Sequence, residues 1–112
     1  MTLGELIQNE NLELLTGAPD CSKAVSGAIC CDLLSFVMAK GRPGMAWVTV
    51  QSHMNVVAVA TLHEFSCIIL PDGCRMPEDA LQKAGAEGIA VLSSKLTGYQ
   101  VCCLLHDAGI GG

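Results

Sequence analysis

Three short stretches, Ala46-Trp47-Val48-Thr49-Val50, Cys67-Ile68-Ile69-Leu70 and Ile89-Ala90-Val91-Leu92, decide the fold. Each is apolar at successive positions rather than alternate ones, so neither face of such a strand tolerates water. That is the composition of parallel strands covered on both sides by helices. The segments between them, about 55–64 and 77–86, and the one that follows, about 98–108, carry helix signals. Pro77 opens the second at its first position, with Glu78 and Asp79 near the positive end of the helix dipole. Thr97-Gly98-Tyr99-Gln100 fits a capping box and Gly109 stops the third. Strand and helix therefore alternate as a βαβ series, whose crossovers are right-handed.

Outward from this block, Thr2-Leu3-Gly4-Glu5 is a second capping-box pattern and predicts a helix over about 3–9. Leu12 to Leu15 reads as a brief strand closed by the turn residues Gly17, Pro19 and Asp20. Ala24 to Cys31 reads as another strand, and both are expected at the margin of the sheet. Asp32 is placed to cap a helix over about 33–40 that stops at Gly41. The expectation is an α/β fold, a single three-layer domain spanning 1–112 with a mainly parallel sheet, residues 110–112 forming a flexible tail.

Charged residues make up 15% of the chain, against about 25% in an average domain, while 51% is hydrophobic. That excludes disorder and leaves apolar surface on the monomer, so a homodimer is expected. Lys and Arg total 6 against 11 Asp and Glu, a net charge of −5. No cationic field is available to bind nucleic acid or an anionic membrane. Glu5 lies near the start and the first basic residue is Lys23, unlike a secretory signal, and Val56 to Ala60 falls far short of the ~20 apolar residues that span a bilayer. A cytoplasmic protein is expected. Its seven cysteines, at 21, 30, 31, 67, 74, 102 and 103, are then read as buried, inert thiols. Adjacent pairs aim poorly at one ion, so neither a metal nor a cofactor is expected.

The run Ala46 to Ala60, followed by Cys67-Ile68-Ile69-Leu70, then Gly73-Cys74-Arg75-Met76-Pro77 and Ile89 to Ser93, resembles the DRTGG domain. Asp32-Leu33-Leu34-Ser35, after a strand containing Val25-Ser26-Gly27, looks like the upstream segment of that family. The resemblance covers about residues 3–108 and extends to the N-terminal domain of HPr kinase/phosphorylase. It implies a regulatory or ligand-binding module, found in relatives alone or attached to CBS pairs, inorganic pyrophosphatase or phosphotransacetylase. Where many members carry Gly-Asp-Arg after the central strand, this chain has Gln51-Ser52-His53.

Ligands of open α/β sheets bind at the carboxyl ends of parallel strands, where helix N-termini converge. The loops so placed are Gln51–Asn55, Asp72–Arg75 and Ser93–Thr97. Gln51, Ser52, His53 and Asn55 bring four hydrogen-bonding side chains to the first, Arg75 supplies a cation, and Ser93 and Ser94 offer hydroxyls to a phosphate. A small anion, such as a nucleotide or phosphorylated metabolite, is expected between the first group and the two serines. The plainer alternatives are that Ser52 or Asn55 caps a helix and that Ser93-Ser94 is an ordinary turn. No Gly-Lys-Ser/Thr phosphate loop, Cys-centred signature or carboxylate pair suited to acid-base chemistry is present, so no catalysis is expected. The alternative function is an assembly subunit that binds an unknown partner protein and no small ligand.

Overall fold

The computed structural model describes residues 1–112. Its strands are β1 (Glu13–Leu14), β2 (Gly27–Cys30), β3 (Met45–Val48), β4 (Cys67–Leu70) and β5 (Ala90–Ser93), and its helices are α1 (Leu3–Ile7), α2 (Leu34–Lys40), α3 (Met54–Leu62), α4 (Glu78–Ala86) and α5 (Gly98–Asp107). The strands form one sheet in the order β1-β5-β4-β3-β2. β2 to β5 are mutually parallel, with Ala46 opposite Cys67 and Cys67 opposite Ala90. The three decisive strands are thus parallel neighbours, as expected. The two early strands take opposite margins, and β1 runs antiparallel to β5.

Every residue of β3, β4 and β5 is buried. Because side chains alternate along a strand, Trp47, Ile68, Leu70 and Val91 enter one apolar cluster with Val37 of α2, Val56, Val57 and Ala60 of α3, and Ala80 and Ala84 of α4. Ala46, Val48, Cys67, Ile69, Ala90 and Leu92 enter a second with Leu3 and Leu6 of α1 and Val101 and Leu105 of α5. Trp47 meets Phe65 edge-on at 5.8 Å, and its indole N–H donates to the Cys31 carbonyl at 2.8 Å, so the largest core side chain leaves no polar atom unpaired.

Four local expectations are corrected. Asp32 does not cap α2: Leu33 holds the cap position without a side-chain bond, because the Asp32 carboxylate is drawn across to the end of β3. There Oδ1 accepts from Thr49 Oγ1 at 2.8 Å and from the Val50 amide at 3.0 Å. The first helix ends at Ile7, since Asn9 Oδ1 takes the Asn11 amide and turns the chain. The terminal residues, expected as a tail, lie along β2: Ile110 is buried and the Gly111 carbonyl accepts from the Ala28 amide at 2.9 Å. β2 is an edge strand, and an outward amide there needs an acceptor. Finally, Cys67 alone among the cysteines is buried. Cys21, Cys30 and Cys103 are exposed, while Cys31, Cys74 and Cys102 are half-buried, the first two of these against the edge of the first apolar cluster.

Candidate functional site

At the carboxyl ends of β4 and β5 the chain turns to opposite sides of the sheet. After β4 it passes into α4, which packs in the first apolar cluster; after β5 it passes into α5, which packs in the second. Divergence of neighbouring connections opens a crevice at the strand ends. Pro71 to Cys74 forms the near wall as a tight turn, with Asp72 at φ 57°, Gly73 at φ 71° and the Cys74 amide bonded to the Pro71 carbonyl at 3.0 Å. Two consecutive positive φ values define a type I′ turn, and Asp-Gly is the pair that forms it at least cost.

The hollow beside this turn has a volume of about 340 Å³ and is lined by Glu10, Glu13, Arg75, Ser93, Ser94 and Lys95 among others. Ser93 Oγ donates to the Cys74 carbonyl at 2.9 Å. Ser94 Oγ accepts from the Leu96 amide at 3.1 Å, and no protein acceptor takes its own proton. Arg75 Nη2 meets Glu13 Oε1 at 2.9 Å and Oε2 at 3.0 Å, with both side chains more than half exposed. An ion pair so exposed is worth roughly 0–1 kcal/mol, so parting Glu13 from Arg75 costs little. At the start of α5 the Thr97 and Gln100 amides are taken by their mutual capping box. Arg75 and Lys95 are the cations that line this hollow, beside the Ser94 hydroxyl.

The other four sequence-derived residues lie elsewhere. Gln51, Ser52, His53 and Asn55 line none of the four hollows on this surface. A single crevice between them and the two serines does not form, because the β4 loop intervenes and is tied to the β5 loop by Gly73 N to Ser94 O at 2.7 Å and Asp72 N to Leu96 O at 2.8 Å. Gln51 is structural in part: its side-chain amide donates to the Asp32 carbonyl at 3.1 Å, and its backbone amide to Thr49 Oγ1 at 3.1 Å. His53 occupies the cap position of α3 without a side-chain bond to the helix, so neither Ser52 nor Asn55 is the cap, and α3 carries no acid in its first turn. Lys95, Glu10 and Glu13 were not singled out by the sequence. Only the pairing of β1 with β5 brings the acids to the crevice, and that pairing has no local signature.

No protein-family model matches this chain, and no curated protein does. Among solved structures, it is similar to the CBS and DRTGG domains of the regulatory region of Clostridium perfringens pyrophosphatase, a structure complexed with the activator diadenosine tetraphosphate. The two superpose with a TM-score of 0.70 at 10% identity, over 93% of this chain and 45% of that one. The chain therefore spans less than half the length of that regulatory region. At this identity the likeness is one of fold, and it shows a compact α/β domain built on a five-stranded, mostly parallel sheet.

Proposed function

We propose that this chain is a DRTGG-type, three-layer regulatory module that senses a small anionic ligand, a nucleotide or phosphorylated metabolite, without catalysis of its own. The observation that carries the reading is the hollow at the diverging ends of β4 and β5, where Arg75, Ser94 and Lys95 converge. The fold likeness supports it, since the similar regulatory region is one complexed with a dinucleotide polyphosphate. Arg75 and Lys95 neutralise phosphate oxygens, and Ser94 supplies a directed hydroxyl proton. With Glu10 and Glu13 on the same rim, the field is mixed, so binding is modest and falls as salt rises.

The test is a titration of the folded chain with nucleotides and phosphorylated metabolites, diadenosine tetraphosphate included, while thermal unfolding is followed. A ligand at 100 times its Kd adds about 2.7 kcal/mol to the folded state. Arg75→Ala and Ser94→Ala are expected to weaken that response, while the double change His53→Ala and Asn55→Ala leaves it intact. The opposite pattern moves the site to the start of α3, and phosphate release from any nucleotide tested defeats the non-catalytic reading.

A second reading is favoured by a different observation. Leu33, Phe36 and Met38 on or beside α2 are 62%, 48% and 50% exposed, and Leu62 on the neighbouring α3 is 68% exposed. An apolar surface of this kind suits a homodimer or an assembly contact with a partner protein. Sedimentation of the chain and of Leu33→Asp/Phe36→Asp distinguishes the two: a ligand response that persists in a monomeric variant separates sensing from assembly.

A further inference from the structure

Two cysteines far apart in the sequence meet in the fold. Cys30 ends the edge strand β2, and Cys102 lies on α5, which packs against β2 and β3. Both line a hollow of about 300 Å³ that His106 and the terminal residues Ile110 to Gly112 complete. The two side chains face this one hollow from the strand and from the helix packed on it, and the Cys102 thiol acts on the ionisation of Cys30. Cys30 is exposed and Cys102 half-buried, so a small reagent reaches the first while the second stands beside it.

Their sequence neighbours face other ways. Cys31, one residue further along the chain, packs against the opposite apolar cluster with Trp47, as alternation requires. Cys103 lines a different hollow, with Gln100 and Asp107. The adjacent pairs 30/31 and 102/103 thus contribute one thiol each to a single meeting point.

We propose that Cys30 and Cys102 form a dithiol modification site, which a low-molecular-weight disulfide such as glutathione disulfide oxidises to an intramolecular bridge. One protein thiol loses its proton and attacks the reagent's S–S bond, forming a mixed disulfide and expelling a glutathione thiolate. The second protein thiol loses its proton and attacks the sulfur now bonded to the first. That step closes the Cys30–Cys102 bond and releases the second glutathione. Both cysteines are oxidised and one glutathione disulfide is reduced, and the two protons given up by the protein thiols end on the two expelled glutathione thiolates. Burial and the Cys102 thiol beside it push Cys30 up to about 11, with Asp32 adding to the effect. Cys30 therefore rests as a protonated thiol near neutral pH.

The bridge fastens the edge strand to α5 across the terminal residues, and it closes a long loop of chain. Stabilisation of that kind raises the unfolding temperature by about 10 °C.

The experiment treats the folded full chain with graded ratios of glutathione disulfide to glutathione. The expected product loses about 2 Da, carries no glutathione and yields a Cys30–Cys102 peptide on mapping. Its raised unfolding temperature returns to the starting value with dithiothreitol. Cys102→Ser retains a glutathione adduct on Cys30 under the same conditions, and Cys30→Ser forms no bridge to Cys102. The proposal is overturned if the parent chain accumulates glutathione adducts without closure, if another cysteine pair closes first, or if the folded thiols stay unmodified.

Discussion

Replacing Asp32 by Ala tests whether this residue staples two strand ends together, as its geometry requires, or caps α2, as its position in the sequence suggests. The carboxylate accepts from Thr49 Oγ1 at 2.8 Å and from the Val50 amide at 3.0 Å. Hydrogen bonds to a charged group contribute roughly 1.5–3 kcal/mol each, but Asp32 is exposed, so solvent takes back much of that. Thr49 is nearly fully buried and keeps its contact with the Gln51 amide. The net loss expected is about 2 kcal/mol, or roughly 8 °C in Tm for a domain of this size. Asp32→Ser separates the two roles: a serine caps a helix nearly as well as aspartate, but its hydroxyl is too short to reach Thr49. Serine should therefore fail to rescue. A double-mutant cycle with Thr49→Val, read by urea unfolding, should show coupling of about 1 kcal/mol. Full rescue by serine, or coupling within about 0.3 kcal/mol of zero, would refute the staple.

Other consequences are open to measurement. Ser66, buried between the Ala24 and Gly44 carbonyls and bonded to both, should cost about 1–3 kcal/mol when changed to Ala, because the carbonyls lose their donor; chemical denaturation checks this. Gly44 adopts φ 83° and a Cβ there would collide with Ser26, so Gly44→Ala should lower Tm by more than the strain of a positive φ alone, and Ser26→Ala should recover part of the loss. Burial raises the Cys67 thiol from an ordinary 9.0 to about 12. The folded state then holds its proton where the unfolded chain releases it, so stability is intact below pH 9 and falls between about 9 and 12 by up to roughly 4 kcal/mol. Cys67→Ala should reduce that alkaline slope in pH-dependent unfolding, leaving the share due to Cys30, while an unchanged slope would assign it elsewhere.

The decisive strands were legible because double-sided burial leaves a signature that polar residues cannot imitate. Ile68 and Ile69 must face opposite clusters, and both are apolar for that reason. Helix ends were legible where a side chain closes them, as at Thr2 with Glu5 and Thr97 with Gln100. Asp32 was misread because a cap and a cross-strand acceptor use the same carboxylate, and only the approach of β3 decides between them. The docking of Gly111 on Ala28 was equally hidden, since a glycine at the terminus carries no trace of the edge it covers. The cysteines failed for a related reason. A thiol is apolar enough for the core and small enough for the surface, so composition alone does not place it.

Nearly half of the candidate residues come together in one hollow, and the division follows the topology. Arg75, Ser93 and Ser94 could be grouped because β4 and β5 are consecutive parallel strands, whose loops emerge at one end of the sheet. Gln51 to Asn55 emerge at that same end, yet β4 stands between β3 and β5, and its loop bonds to the β5 loop rather than leaving a gap. The extra wall comes from β1, an antiparallel strand whose partner is remote in the chain. Glu13 arrives on that strand and neutralises Arg75. On the proposed reading, a ligand with one phosphate merely exchanges with a tethered carboxylate, while a polyphosphate also engages Lys95. Glu13→Gln should therefore strengthen binding of every anion that uses Arg75, and proportionally most for those with a single phosphate. If it strengthens none, Arg75 is not the residue that holds the ligand.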